Sequence, residues 1–489
     1  MWVGYSSGIL QTPSRLIPPP AHGKATMTQR DIAVCFDPSH VSPVTSGAYP
    51  ARPGNLVRPL VDGVPAFRRI AEASKAARHS IWLTVTFYAS EFLFPDEEGA
   101  LFDVLDRAVA RGLDVRALFW RPNPESSQYG STFTGSTADR ELLGARGARF
   151  KIRWDRAHAA FCQHQKSWLI DAGRPTETAF IGGINPTFAP ASPGHLDGSG
   201  RHDLYVEVTG PSATDVHHNF VQRWNEASER HLDDGVWGDD GVVPLAFPSG
   251  VSEPRGDSVV QIQRMVHPGR YADGRATPGG QPYDIAAGER SILEQYRQAI
   301  AAARSSIYIE NQALPVPEIA LLLEDALKRG VEVVMLVPAE PEDSVRSARR
   351  NPDRAEFFNR IEALGRYPNF ALVGIAAPDQ QKRRTAIYVH AKIMLVDDAW
   401  ATIGSCNLHA YSLSGHTEMN AAIWDRGVAR ALRCQLLAEH LGLDTADLDD
   451  RAALVLYRQV ANENRAGMDA PDFVWQGLAF ALPPSEYGK

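Results

Sequence analysis

The sequence has 489 residues, of which 44% are hydrophobic, and its formal net charge at pH 7 is −8. A chain of this length and apolar content can bury two hydrophobic cores of ordinary size. The acidic balance, without a lysine- or arginine-rich tail, argues against nucleic acid as the partner, because nucleic-acid-binding proteins usually carry a basic patch or stripe.

The first 50 residues are predicted to form a partly disordered N-terminal extension, in which Met27 is a candidate for the true start. This segment lacks the basic stretch and sustained apolar run of a secretory signal. No later segment has about 18 unbroken apolar residues, so no transmembrane helix is predicted. The cysteines are widely spaced and form no C-x-x-C pair, which is typical of a reduced, cytoplasmic protein; they are Cys35, Cys162, Cys406 and Cys434.

The first half, residues 51–232, is predicted to be an α/β unit. "AARHSI" at 76–81 leads into the apolar strand "WLTVTFY", and "LFDVLDRAVARGLDVRALFW" at 101–120 reads as an amphipathic helix followed at once by a strand. Gly112 suits the left-handed position after that helix, and the cations near it suit the negative end of the helix dipole.

A polar motif follows at 161–187, "FCQHQKSWLIDAGRPTETAFIGGINPT". Residues two apart on a strand point to the same face, so an imidazole and an ammonium group lie side by side. A Gly-Gly-x-Asn segment follows the next predicted strand. The conspicuous positions of this first motif are His164, Lys166, Asp171, Gly182, Gly183 and Asn185.

Residues 233–285 are dense in Gly, Pro and Asp, and are predicted to be a linker with irregular loops. The second half, residues 286–489, then repeats the first and ends in a C-terminal extension. "AARSSI" at 302–307 matches "AARHSI" at an offset of 226, and "ALLLEDALKRGVEVVMLVP" repeats the helix, its glycine (Gly330) and the strand. The sequence therefore indicates one α/β unit used twice.

The second motif, "YVHAKIMLVDDAWATIGSCNLH" at 388–409, has the same offset of 226 for its His-x-Lys pair. Its positions are His390, Lys392, Asp397, Gly404, Ser405 and Asn407. An imidazole beside an ammonium, a hydroxyl and an amide suits a phosphate anion. A lone His-x-Lys pair would more often be a solvated surface feature, but a repeated pattern of this length argues against that interpretation.

The doubled H-x-K-x4-D motif, each followed by G-[GS]-x-N, resembles the phospholipase D superfamily. "HDLYVEVTGP", "NFVQRW", "VQIQRMV", "GERSILEQY" and "SIYIENQ" further resemble the phospholipase D enzymes proper, and the likeness covers most of residues 55–425. We expect two similar α/β sandwich halves, packed about a pseudo-twofold axis with the active site between them.

Two copies of one motif can supply both groups that a phosphodiester reaction needs. A neutral imidazole attacks phosphorus, and an imidazolium protonates the leaving alcohol. The surrounding cations and amides would stabilise the phosphoryl oxygens, and they are Lys166, Lys392, Asn185 and Asn407. Since these cations are built in, we expect no cofactor and no metal ion.

The resemblance implies a covalent phosphohistidine, with His164 as the nucleophile and His390 as the acid. It also implies that Asp171 and Asp397 brace the site from a distance. The carboxylates that orient the histidines are assigned by position to Asp203 and Glu418, although Glu418 could instead be a plain strand residue. The other histidines show no metal-ligand spacing and are mostly expected at the surface or around the site; they include His195, His202, His217, His218, His409 and His416.

The predicted function is cleavage of a glycerophospholipid such as phosphatidylcholine to phosphatidic acid, with transfer to alcohols as a side reaction. The expected protein is a monomer that meets its phospholipid as a peripheral protein at the membrane surface. A phosphatidyltransferase such as a cardiolipin synthase is one alternative, which would typically carry N-terminal membrane helices. A superfamily nuclease is another, which is often a single-motif dimer with a basic groove.

Overall fold

The computed structural model describes residues 41–130, 132–192, 195, 200–378, 383–470 and 472–489. The predictions made for the disordered part of the extension, for Met27 and for Cys35 lie outside these residues. Among the described residues, no helix combines the length and the apolar character that crossing a bilayer requires.

Helices and strands alternate through the first part of the chain. The elements are β1 Arg52–Val61, α1 Gly63–Ala76, β2 Ser80–Val85, β3 Leu93–Phe94, β4 Gly99–Ala100, α2 Leu101–Ala110, β5 Asp114–Trp120, α3 Thr137–Ala145, β6 Lys151–Asp155, β7 Ser167–Ile170, β8 Thr178–Gly182, β9 Arg201–His202, β10 Leu204–Thr209, α4 Ala213–Asn225, β11 Val236–Trp237 and β12 Ser258–Val266.

The alternation continues to the C-terminus. The elements are β13 Glu289–Arg290, α5 Ser291–Ala302, β14 Ser306–Asn311, α6 Pro317–Lys328, β15 Glu332–Leu336, α7 Asp343–Arg350, α8 Ala355–Leu364, β16 Phe370–Pro378, β17 Arg384–Ala386, β18 Tyr388–Val389, β19 Lys392–Val396, β20 Trp400–Gly404, α9 Ala410–Ser414, β21 Glu418–Trp424, α10 Arg426–Leu441, α11 Asp450–Gly467 and β22 Ala479–Ala481.

The order of strand pairings is the same in the two parts. In the first, β6, β5 and β2 are parallel neighbours, and the sheet continues antiparallel from β2 through β7 and β8 to β10. In the second, β16, β15 and β14 are parallel, and the sheet continues antiparallel through β19 and β20 to β21. The predicted α/β class is confirmed. The duplication stays a prediction, which this repeated order supports.

The two parts join through β1 and β12, which pair antiparallel. Strand β1 also pairs with β10, and β12 also pairs with β21. The segment 233–285, predicted to be a linker with irregular loops, therefore also contains a strand, β12, whose nine residues are all buried at the junction. The run "VQIQRMV" was noted for its resemblance but was not assigned to a strand, because Gly, Pro and Asp residues surround it.

Two glycines end equivalent helices as the sequence predicts. Gly112 follows α2 with a φ of 84°, and Gly330 follows α6 with a φ of 87°. Both backbones lie in the left-handed region that other residues avoid, so each helix stops and the next strand begins at once.

The three largest hydrophobic clusters among the described residues hold most of the elements together. One cluster belongs to the first part and includes Phe67 and Phe119, and another belongs to the second part and includes Ile309 and Met335. The third draws on both, since Ile181 and Val206 pack in it with Ile403. The strands that carry the two motifs therefore face each other across a shared core, which brings their histidines to one place.

Candidate active site between the two motifs

The backbone of each motif histidine is hydrogen-bonded to the other half of the protein. The amide of His164 donates to the carbonyl of Thr417 at 2.9 Å, and Thr417 returns a bond to Cys162 at 3.0 Å. In the equivalent place, the amide of His390 donates to the carbonyl of His202 at 2.8 Å. Each motif histidine is therefore held to the other half of the same chain. The residue that holds it comes directly before a buried carboxylate.

Each of those carboxylates contacts the motif histidine of the other half. Nδ1 of His164 lies 2.9 Å from Oε2 of Glu418, and Nδ1 of His390 lies 2.5 Å from Oδ2 of Asp203. Both carboxylates are buried. A carboxylate on Nδ1 fixes the ring orientation and leaves Nε2 directed at the space between the motifs. The sequence named both carboxylates but not this exchange of partners.

Glu418 has further support from two serines. The hydroxyls of Ser405 and Ser412 each donate to its carboxylate at 2.6 Å. Ser405 was expected to help bind the anion, but its hydroxyl is committed to Glu418, so it supports His164 from behind. Ser412 was missed because it lies outside the motif, on the short helix α9.

Asp203 explains why the first motif has glycine where the second has Ser405. A Cβ added to Gly183 would lie 2.3 Å from Oδ1 of Asp203, which is far too close. The shorter aspartate fills the space that a side chain at position 183 would need. Its Oδ1 instead accepts the Leu204 amide at 2.7 Å.

The lysines are held beneath the histidines. Nζ of Lys166 donates to the carbonyl of His164 at 2.7 Å, and Nζ of Lys392 donates to the carbonyl of His390. Each is only 1% exposed. Burial lowers the pKa of Lys166 to about 8 and that of Lys392 to about 7, so both are poised near neutrality.

The two asparagines face the same region, and a glutamine links one of them to a lysine. Oδ1 of Asn185 accepts the Phe87 amide at 3.3 Å, which leaves its amide group as a donor. Nδ2 of Asn407 donates to Oε1 of Gln312 at 3.3 Å, and Nζ of Lys392 lies 3.2 Å from the same oxygen. Gln312 closes the segment "SIYIENQ" and was not identified as a site residue from the sequence.

The surroundings of both histidines favour the neutral imidazole. Burial, and then the positive charges of Lys166 and Lys392, hold the pKa of each imidazole well below its usual range. Burial also raises the pKa of the Asp203 carboxyl, to about 7, and raises that of Glu418. An entering phosphate anion would offset the lysine charges and favour protonation of one ring.

The motif aspartates lie at the far ends of the motif strands from the histidines. Asp171 accepts the backbone amides of Arg78, His79 and Ser80 at 2.7–3.2 Å. Asp397 accepts the equivalent amides of residues 304–306 at 2.8–2.9 Å. These amides belong to "AARHSI" and "AARSSI", so each aspartate ties its motif strand to the repeated segment. This geometry fits the predicted bracing role.

A cavity opens onto the site from one side. It is lined by His390, Asp203 and Asn185, and also by apolar residues and an arginine, which are Ile184, Phe188, Pro190, Ala191 and Arg201. The guanidinium of Arg201 lies 3.8 Å from the ring centroid of Phe188 and 4.9 Å from that of Tyr388. Arg201 carried no signal in the sequence beyond its place beside "HDLYVEV".

The remaining histidines divide into two groups. His416 and His409 lie near the site, as expected. The ring centroid of His416 is 5.6 Å from that of His164 and 5.8 Å from that of His409. Four others are buried, so the expectation of surface positions is wrong for them; they are His195, His202, His217 and His218. His195 and His202 approach two carboxylates despite the absence of ligand spacing in the sequence, because the fold brings distant segments together.

Comparisons with known proteins point to the family to which this chain is similar. A family model described as "Cardiolipin synthase, PLD-like domain" matches residues 296–439. Phospholipase D alpha 1 of Cynara cardunculus is 26% identical over 407 residues, which cover 59% of this chain and 50% of that protein. Cardiolipin synthase A of Pseudomonas entomophila is 25% identical over 389 residues, covering 78% of this chain and 68% of the relative. The match thus spans about half the length of the plant relatives.

A solved structure shares the fold. The phosphatidylserine synthase of Haemophilus influenzae Rd KW20 superposes with a TM-score of 0.53 over 85% of this chain and 95% of that one, at 14% sequence identity. The paired motifs, the relatives in sequence and the shared fold all support one family for this chain, the phospholipase D superfamily.

Proposed function

We propose that this protein is a phospholipase D-type phosphodiesterase that releases the headgroup alcohol from a glycerophospholipid and leaves phosphatidic acid. The observation that carries the proposal is the pair of crossed histidine–carboxylate contacts, His164 with Glu418 and His390 with Asp203. Two imidazoles held by carboxylates, each with a buried lysine beneath it, suit in-line displacement at a phosphodiester.

The first step forms a covalent bond. Nε2 of His164 attacks phosphorus, and the bond from phosphorus to the headgroup oxygen breaks. His390, protonated on Nε2 once the anion is bound, gives that proton to the departing oxygen. Lys166 and Lys392 stabilise the negative charge on the phosphoryl oxygens as it redistributes in the transition state.

The second step reverses these roles. Water takes the place of the departed headgroup, and neutral His390 accepts its proton as it attacks phosphorus. The bond from phosphorus to His164 breaks, which releases phosphatidic acid and restores both imidazoles. An alcohol in place of water gives a phosphatidyl ester by the same route, so transfer accompanies hydrolysis.

The hydrogen bonds that the two carboxylates accept favour His164 as the nucleophile. A phosphohistidine carries positive charge on its ring, and an ionised carboxylate on Nδ1 stabilises it. Glu418 accepts two serine hydroxyls at 2.6 Å, whereas Asp203 accepts the Leu204 amide. The two charge-assisted bonds from hydroxyls favour the ionised form of Glu418.

The cavity beside His390 has a volume of only about 20 Å³, but the residues that line it favour a lipid substrate. It combines groups that bind a phosphate, Arg201 and Asn185, with the apolar side chains of Phe188 and Ile184. Such a wall suits a phosphate attached to an apolar glycerol ester. We place the reaction at a membrane surface, where the protein meets phospholipid as a peripheral monomer.

A phosphatidyltransferase of the cardiolipin synthase type is the second candidate. The family model over residues 296–439 and the Pseudomonas relative favour it. The covalent step is the same in both candidates, and they differ only in whether water or the hydroxyl of a second lipid resolves the phosphohistidine.

A substrate panel separates the candidates. The full chain is incubated with vesicles of phosphatidylcholine, phosphatidylethanolamine or phosphatidylglycerol, and separately with single-stranded DNA. We expect free headgroup and phosphatidic acid, and phosphatidylethanol when ethanol is added. Cardiolipin formed from phosphatidylglycerol without phosphatidic acid would favour the transferase, and cleavage of DNA alone would contradict both lipid activities. His164→Ala is the inactive control, and His217→Ala is a matched control at a buried histidine outside the site.

A further inference from the structure

A second cluster of histidines and carboxylates lies next to the candidate active site. Asp62 lies between β1 and α1, His202 ends β9, Glu439 is on α10, and His195 lies between β8 and β9. One ligand-type atom from each of these four residues lies within 4.8 Å of every other. Asp62, His195 and His202 are fully buried, and the Glu439 side chain is 8% exposed. No catalytic step uses these side chains.

Four of the six distances among these atoms lie close to those between the ligands of a metal ion. Oδ1 of Asp62 lies 3.0 Å from Nδ1 of His202 and 3.3 Å from Nε2 of His195. Oε1 of Glu439 lies 3.6 Å from the same two nitrogens. An ion bound tetrahedrally at about 2.0–2.2 Å holds its ligands about 3.3–3.6 Å apart. A single ion could therefore contact all four atoms after only small adjustments.

Two of the carboxylate oxygens in the cluster are buried without a hydrogen-bond donor in the described part of the chain. They are Oδ2 of Asp62 and Oε1 of Glu439. Native proteins rarely leave buried carboxylate oxygens in this state, because no protein group then replaces the water lost on folding. A cation bound at Oε1 of Glu439 would supply the missing partner for that oxygen.

The charges in this region are also unbalanced. Glu310 lies beside the cluster. With Asp62 and Glu439 it makes three buried carboxylates around His202. An imidazolium at His202 could balance one of them, and His195 and His440 are the other imidazoles in this region. Burying uncompensated negative charge is costly, and a divalent cation removes most of the imbalance.

The surroundings of His202 prepare one nitrogen for a metal. Its Nε2 lies 2.8 Å from Oε2 of Glu310, and the hydroxyl of Tyr308 donates to Oε1 of the same carboxylate at 2.7 Å. If Nε2–H donates to Glu310, the lone pair on Nδ1 faces Asp62 and Glu439. Metal-bound histidines are commonly oriented by a carboxylate on their other nitrogen in this way.

We propose that Asp62, His195, His202 and Glu439 bind one divalent transition-metal ion. Two imidazole nitrogens and two carboxylate oxygens suit zinc, or manganese or iron(II), better than calcium or magnesium. Four protein ligands at a buried position are typical of a structural site rather than a catalytic one. This proposal does not depend on the substrate, and it departs from the expectation, drawn from the sequence, that the protein binds no metal ion.

The ion would act on the active site through the backbone. The amide of Asp62 donates to the carbonyl of Asp203 at 2.9 Å, and the carbonyl of His202 accepts the amide of His390 at 2.8 Å. Asp203 is also the carboxylate partner of His390. A metal at Asp62 and His202 would therefore fix the position of this pair without touching the substrate.

Metal analysis of the full-length protein tests the proposal. Untagged protein is dialysed against a strong chelator, its metal content is measured by mass spectrometry, and zinc, manganese or cobalt(II) is added back. We expect one tightly bound ion per chain, a Tm that rises by several degrees with the ion, and the visible absorption of tetrahedral cobalt. No tight binding and no change in Tm with any of these ions would overturn the proposal.

Variants locate the ion. Glu439→Gln and His195→Gln each remove one ligand at similar volume, and both should lose the bound ion and the rise in Tm. His217→Gln is the matched control, since His217 is buried against Glu177 at 2.9 Å at a different place in the fold. Full metal content in both ligand variants would overturn the assignment. The cobalt spectrum of the wild type tests the ligand geometry even if a variant does not fold.

Discussion

Glu418 accepts a hydrogen bond from Nδ1 of His164 at 2.9 Å although 254 residues separate the two in the chain. The reciprocal contact joins His390 to Asp203, so each half of the protein completes the histidine of the other. An isolated half would hold one motif without the carboxylate that orients its imidazole. In the proposed mechanism the chemistry therefore depends on the contact between the halves and not on either motif alone.

Loss of the charge at Glu418 should reduce turnover sharply. Glu418→Gln keeps the shape of the side chain but removes the negative charge that supports a positive imidazole ring, and we expect kcat to fall by about 10²–10⁴-fold. The measurement is steady-state hydrolysis, with circular dichroism to verify folding. Glu177→Gln is the matched control, because Glu177 contacts Nδ1 of His217 at 2.9 Å away from the site. Equal losses in the two variants would indicate a structural role for Glu418.

The contact between Ser405 and Glu418 predicts a specific non-additivity. If the Ser405 hydroxyl acts only through Glu418, Ser405→Ala should lower kcat about tenfold with little change in KM. The same change should have almost no effect when Glu418 is already glutamine. A double-mutant cycle measures this difference. An additive loss, or a loss confined to KM, would return Ser405 to the anion-binding role first predicted from the motif.

The lowered pKa values of the lysines predict how activity depends on pH. The ammonium forms exist below pKa values of about 7 for Lys392 and about 8 for Lys166, and they are lost as the pH rises through this range. The value of kcat/KM should therefore fall above neutral pH. Because bound phosphate stabilises the ammonium forms, the fall in kcat should begin at a higher pH.

The acid side of the same profile reports on the histidines. Both imidazoles have pKa values well below their usual range, so His164 stays neutral and nucleophilic in weakly acidic buffer. We expect a bell-shaped profile whose acid limb lies below about pH 6.5. Rates measured from pH 5 to 9 on a soluble short-chain lipid test both limbs. A profile without an alkaline limb would contradict the role of the lysines.

Asp397 should matter for stability and not for chemistry. Its carboxylate accepts three backbone amides at 2.8–2.9 Å, so Asp397→Ala leaves these donors without their partner. We expect the free energy of unfolding to fall by about 3 kcal/mol, with kcat per folded molecule changed less than twofold. Denaturant unfolding and active-site titration measure the two quantities, with the exposed Asp447→Ala as control. A large loss of kcat in the folded variant would place Asp397 in the reaction.

The sequence predicted local features well and the contacts between halves poorly. The strand after Lys392, the glycines that end α2 and α6, and the residues of both motifs follow from periodicity and repetition. The exchange of Glu418 and Asp203 depends on how the halves pack, which no local pattern encodes. The same limit applies to the cluster at Asp62, whose members are brought together from segments hundreds of residues apart. Strand β12 was missed because turn-forming residues surround a short apolar run.

The most direct test of the account is to trap the intermediate and locate it. A phospholipid with a p-nitrophenol headgroup needs no proton for departure, so His390→Ala should still form the covalent adduct but resolve it slowly. The reaction is quenched in denaturant at alkaline pH, and the peptides are read by mass spectrometry. We predict a phosphatidyl group on His164 in this variant and in wild-type protein quenched within the first turnover. Release of p-nitrophenol without a histidine adduct, or an adduct on His390 in the wild type, would contradict the assignment.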